Sequence, residues 1–99
     1  MKRKDPQTRK AEILEAAVRV AERTNYGYMT RDQIAAEAGV SGPMIQHYFG
    51  TMCQLRRDVM RAAVRRDIVK IIAQGLIADD KTARKARDEI KQEASRLCL

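Results

Sequence analysis

Ninety-nine residues with a formal charge of +7 describe one small basic domain, with too little chain for a second core. Aromatic residues are few and tryptophan is absent, so a helical core of Ala, Leu, Ile and Val is expected. The uncharged run Ile71–Ala78 is too short to span a membrane, and the charged start MKRKDPQTRKAE is no secretory signal, so a cytoplasmic protein with reduced thiols at Cys53 and Cys98 is expected.

The basic charge is unevenly placed. Residues 1–10 carry five Lys/Arg against one Asp, residues 11–50 three against five acidic, residues 51–78 six against two, and residues 79–99 six against five. Two basic clusters flanking a nearly neutral middle are the electrostatic footprint of a nucleic-acid binder, although a solvated surface has the same composition.

The first element follows from AEILEAAVRVAER, whose Ile13, Leu14, Ala17, Val18 and Ala21 share one helical face. Two starts compete for it: Asp5 as N-cap with Pro6 in the first position, or Thr8 as N-cap. Asn25 is expected to end it in a left-handed conformation. TRDQ opens the second helix, with Thr30 as N-cap and Gln33 as its capping-box partner, and Gly39 ends it. Ser41 caps a short third helix. TMCQ repeats the capping-box spacing at Thr51 and opens a fourth helix expected to run to about Gln74, with Gly75 as its C-terminal cap. At 1.5 Å per residue this helix is about 36 Å long. A fifth helix, capped by Asp79 or Asp80, places Ala83, Ala86, Ile90, Ala94 and Leu97 on one face. No strand pattern is present, so the chain is expected to be all-α.

The second and third helices carry the functional signal. A helix-turn-helix needs a tight turn in which glycine takes positive φ, and inward apolar residues that lock the two helices together. Ile34, Ala35 and Ala38 supply these before Gly39; Val40 plugs the turn; Ile45, Tyr48 and Phe49 follow it. Ala35 is small where the helices approach most closely. The same turn occurs in purely structural helix pairs, so a DNA-reading role rests on the combination of caps, small residue and glycine.

TRKAEILEAAVRVAERTNYGYMTRDQIAAEAGVSGPMIQHYFGTMCQL resembles the N-terminal DNA-binding domain of the tetracycline-repressor (TetR) family, on its ILEAA first helix, its TRDQIAAEAGVS second helix and turn, and the HYF that closes the recognition helix. The resemblance covers about residues 8–62. It implies a three-helix TetR-type head, followed here by a long fourth helix and a short C-terminal helix. It also implies a dimeric repressor that binds an inverted-repeat operator, one recognition helix per half-site. Three units are expected: a basic N-terminal arm at residues 1–7, the helix-turn-helix domain at 8–62 and a helical dimerisation extension at 63–99. Family members usually continue much further to form a ligand pocket, so no small-molecule inducer is expected. Gln46 stands where the family commonly has a tyrosine and Met52 where it commonly has a lysine, which removes two familiar phosphate anchors.

With Ile45, Tyr48 and Phe49 inward, Pro43 and His47 point outward, flanked by Met44 and Gln46. Pro43 falls in the first turn, where no N–H is needed, and Gly42 tolerates the restriction that a following proline imposes. Gln46 is suited to adenine N6/N7, Met44 to a thymine methyl, and Arg31 to guanine O6/N7. The bland alternatives are gap-filling for Met44 and a phosphate contact for Arg31. His47, the one histidine, has no partner acid or metal-ligand spacing, which favours a phosphate or base-edge contact. Tyr48 matches a family position whose polar tip reaches phosphate, or else packs in the core. The recognition helix carries no Lys or Arg, so phosphate attraction is assigned to Lys2, Arg3, Lys4, Arg9 and Lys10, to the helix starts at Thr30 and Thr51, and to Arg56 and Arg57. Ser41 and Gly42, at the start of the recognition helix, are expected among the DNA-binding residues.

The apolar residues beyond the head exceed what it would bury, and Ile68, Ile71, Ile72, Leu76, Ile90 and Leu97 are expected to form a homodimer interface. Arg61, Arg65 and Arg66 read as a solvated face. The alternative from another class is a helical adaptor that binds a protein partner in a replication or transcription complex. A redox sensor through Cys53, in the first turn of helix four, is a third reading. No enzyme, metal or cofactor is expected: there is no phosphate loop, Cys/His cluster or nucleophile–base arrangement.

Overall fold

The structure, a computed structural model, describes residues 5–97, and these contain helices and turns but no strand. Helix α1 spans Pro6–Arg23, α2 Arg31–Ala38, α3 Gly42–Phe49, α4 Met52–Arg66, α5 Val69–Ile77 and α6 Asp88–Leu97, with one 3₁₀ turn at Ala83–Lys85. Among the described residues no helix is long and apolar enough to cross a membrane.

The expected all-α head is present, and its helix starts are local events. Asp5 is the N-cap of α1: it accepts the Thr8 N–H at 2.8 Å and the Thr8 hydroxyl at 3.0 Å. The Thr8 N–H, above all, holds the Asp5 carboxyl below its usual range. Thr30 and Gln33 exchange both bonds of a capping box, as do Thr51 and Gln54. The left-handed stop expected at Asn25 is not formed. Helix α1 ends one residue earlier, with Thr24 as cap. The Asn25 side chain instead accepts the Gly27 N–H, and its carbonyl accepts the N–H groups of Tyr28 and Met29. Such side-chain-to-backbone turns compete with a helix cap.

The long fourth helix is corrected to two. Asp67 adopts φ 55° and ψ 44°, a left-handed conformation, and its N–H and that of Ile68 both bond back to the Ala63 carbonyl. The chain reverses there into α5. Arg87, just before α6, grips the Asp67 carboxylate at 2.7 Å and anchors the reversal from outside the helix. Gly75 is also corrected: it lies inside α5, buried, and the cap is Ala78. A Cβ at Gly75 would stand 2.7 Å from the Ala83 Cβ and 2.5 Å from the Met60 Cε, so the glycine is the contact through which α5, α4 and the 3₁₀ turn close together. The expected fifth helix begins only at Asp88. Asp80 instead accepts from the N–H groups of Thr82 and Ala83 at the entry to the 3₁₀ turn, whose N-cap is Thr82.

One core results. Ile13 and Val20 of α1, Ile34 of α2, Ile45 of α3, and Leu55, Val59 and Met60 of α4 are fully enclosed together with Ile71 and Ile72 of α5. Alanines at 16, 17, 62, 63, 83 and 94 are also fully buried and let backbones approach where bulk is absent. Two polar side chains tie the extension to the head. Gln74 of α5 accepts the Tyr26 N–H at 2.8 Å and donates to the Ala21 carbonyl at 2.9 Å, which satisfies backbone groups at the end of α1. The Tyr26 hydroxyl donates to Asp80 at 3.0 Å.

Substituting Gly75 by alanine is expected to destabilise the fold by about 1–3 kcal/mol through overpacking, against the roughly 1 kcal/mol that helix propensity favours; a lowered denaturant midpoint at unchanged m-value checks this. Burial, aided by the Asp80 carboxylate, pushes the Tyr26 phenol from 10.0 up to about 12. The folded state therefore holds the proton more tightly. Its contribution is complete below pH 10 and is lost as pH rises towards 12. Denaturation between those values should lose this slope in Tyr26→Phe.

Candidate nucleic-acid interface

The two short helices meet at Gly39, which takes φ 69° and ψ 36°, the left-handed geometry that a residue with a Cβ adopts at a penalty. Val40 donates back to the Ala35 carbonyl and is half-buried behind the turn. Helix α2 is locked from outside as well: Glu37 receives Arg19 at 3.0 Å and Arg23 at 2.9 Å, both from α1. The hydrogen bond from Arg19, then that from Arg23, holds the Glu37 carboxyl below its usual range. The inward set Ile34, Ala35, Ile45 and Phe49 is buried, while Ala38, Val40 and Tyr48 are half-buried.

Helix α3 begins at Ser41, whose hydroxyl accepts the Met44 N–H at 3.2 Å. Pro43 occupies the first turn without a broken bond. Pro43, Gln46 and His47 are exposed, Met44 half-exposed. The His47 and Tyr48 rings meet edge-on at 5.0 Å between centroids. The Arg31 side chain lies against Gly42: a Cβ there would be 3.4 Å from its Cδ. The first turns of α2 and α3, predicted separately, thus meet, and the lack of a side chain on Gly42 lets the Arg31 stem lie close. The Arg31 Nε is enclosed and has no hydrogen-bond acceptor.

Gly50 ends α3 at φ 75°, and its missing Cβ leaves room for Gln54 to complete the Thr51 capping box. Eight residues of α3 measure about 12 Å, so Ser41 and Thr51 bracket it with helix starts at either end. The hydroxyls of Thr30, Ser41 and Thr51 each use a lone pair for capping, and each is also a donor.

The cations do not all lie where expected. Lys2, Arg3 and Lys4 lie outside the described residues, as does Cys98. Arg9 and Lys10 belong to α1, not to an arm, and Lys10 sits 5.3 Å above the Phe49 ring. Lys10 joins Tyr48, Gln54 and Arg57 around a groove of about 200 Å³ beside the end of α3. The pattern along one helix gave no signal of this groove, because its walls come from α1 and α4. Arg61, Arg65 and Arg66 are exposed, as the solvated-face reading has them; Arg66 pairs with Glu15 at 2.6 Å, and Arg61 stands 3.6 Å from Asp58.

Of the residues expected at a dimer interface, Ile71 and Ile72 are fully buried in the chain's own core, which removes them from any surface. Ile68, Leu76 and Ile90 are half-buried, and Leu97 is 60% exposed. Ile77, which the sequence reading passed over, is 70% exposed.

Residues 13–59 match the family model described as bacterial regulatory proteins, tetR family. No curated protein and no solved structure gives a match.

Proposed function

This chain carries the helix-turn-helix domain of the tetR-family DNA-binding transcription regulators over residues 13–59, and from that premise we propose a repressor that binds an inverted-repeat operator as a homodimer. The observation that carries this reading is the form of α3: an exposed, uncharged set at Pro43, Gln46 and His47, flanked by Met44, on a helix with helix starts on either side of it. The roughly 12 Å wide major groove admits a helix of this kind. In this reading Gln46 bonds adenine, Met44 packs on a thymine methyl, and Arg31 reaches guanine beside the first turn of α3. Thr30, Ser41, Gly42 and Thr51 meet phosphates through hydroxyl and backbone donors, with the Tyr48 hydroxyl and His47 at the far end. The arm, including Lys2, Arg3 and Lys4, supplies sequence-independent attraction. Exposed Ile77 and Leu97, with half-buried Ile68, Leu76 and Ile90, supply the dimer contact, and the protein acts in the cytoplasm.

Selection from a random duplex pool should return a palindromic consensus, bound by a species of twice the chain mass in light scattering. Gln46→Ala should relax one symmetric position and weaken binding by about 1–3 kcal/mol. Absence of enrichment, together with tight capture of a protein partner, would instead favour an adaptor.

Deleting residues 1–4 leaves the Asp5 cap intact and should weaken binding to every sequence alike. The slope of log affinity against log salt should flatten by about 0.9 per lost phosphate contact. An unchanged slope excludes the arm as an anchor.

A further inference from the structure

Along α4 a cleft of about 350 Å³ opens between three separate parts of the chain, sharing Arg57 with the groove beside Tyr48. Tyr26 and Gly27 of the α1–α2 connection form one wall, Cys53, Arg56 and Arg57 of α4 the second, and the Asp80–Thr82 segment after α5 the third.

Its charges are unbalanced. Among the described residues, Arg56, Arg57 and Lys81 make no hydrogen bond or ion pair with any side chain. Asp80 is the one carboxylate lining the cleft, and its oxygens are already occupied by the Tyr26 hydroxyl and the N–H groups of Thr82 and Ala83. Asp79, its neighbour, is taken by Arg84. Three cations against one internally bonded carboxylate leave a local charge of about +2, in a concavity where like charges repel. The Arg56 Nε is enclosed without a hydrogen-bond acceptor, and the guanidinium's charge acts on the hydroxyl of Tyr26, which lines the same cleft.

We infer that this cleft is a binding site for the phosphate group of a small phosphomonoester, held by Arg56, Arg57 and Lys81. A dianion cancels the excess charge, and guanidinium forks match phosphate oxygens in pairs. The volume lies at the lower end of small-molecule sites, large enough for a phosphate with a compact organic body. A ligand here would bridge the α1–α2 connection, α4 and the segment after α5, and would stabilise the folded chain by mass action.

The test is a ¹⁵N–¹H NMR titration of the full chain, free of DNA, with inorganic phosphate and with glycerol 3-phosphate, against sodium chloride at matched ionic strength. Saturable shifts confined to residues 26–28, 53–57 and 80–83 are expected, with glycerol 3-phosphate the tighter probe. Lys81→Gln should weaken binding about tenfold, as lost charge-assisted bonds do. Arg56→Gln should do the same, and exposed Lys81 serves alone where the Arg56 variant loses its native spectrum. Shifts no larger than with chloride, or spread equally over Lys10, Arg61 and Arg65, overturn the site. If a separate titration with duplex DNA shifts the cleft while neither phosphate probe does, the cations belong to a DNA-backbone contact and the inference fails. The titration contains no DNA, so failure of operator binding leaves its result unchanged.

Discussion

At Asp67 the chain leaves α4 in a left-handed conformation, and that reversal decides which apolar surface faces inward. Without it, Ile71 and Ile72 would extend along a single helix beyond the head and require a partner. With it, α5 folds back and both side chains disappear into the monomer's own core. An aspartate in this conformation is held partly from outside, through Arg87, so the reversal and the placement of α6 support one another. Gly75 then permits α5 to approach Met60 and Ala83, and Gln74 ties the same helix to the end of α1. The extension thus braces the connection that leads into Thr30 and Arg31.

The helix-turn-helix is pre-set by short-range bonds and clamped by longer ones. Three hydroxyl caps start α2, α3 and α4, Gly39 sets the turn, and the Arg19–Glu37–Arg23 cluster ties α2 to α1. This division separates shape from attraction. Helix α3 presents an uncharged outer face, while the cations stand on α1, α2 and α4 around it. In the proposed function this division gives sequence discrimination to a few hydrogen bonds and packing contacts, and on-rate to charges that need no fixed geometry.

Much of the head was legible because its signals are local. Thr30 with Gln33, Thr51 with Gln54, and Ser41 with Met44 are bonds over three residues, and Gly39 follows directly from the end of an apolar pattern. Where two local bonds competed, sequence reasoning erred. Asn25 was read as a left-handed stop, yet its side chain closes a turn with Gly27. Gly75 was read as a cap because it follows a helical pattern, whereas it serves a close approach to residues 8 and 15 positions away.

The sequence by itself determined the helical class, the starts of α2, α3 and α4 and the helix-turn-helix, since hydroxyl caps and apolar periodicity act within one or two turns. Only the tertiary structure decided that α4 stops at Arg66, that Arg31 lies on Gly42, and that Lys10 and Arg57 line one groove beside Tyr48. It also decided which cations are neutralised, Arg66 by Glu15 and Arg87 by Asp67, and which are left facing open clefts, Arg56 and Lys81 among them. These outcomes depend on pairs 11 to more than 50 residues apart, whose meeting is set by how the whole core closes and leaves no periodic trace along the chain.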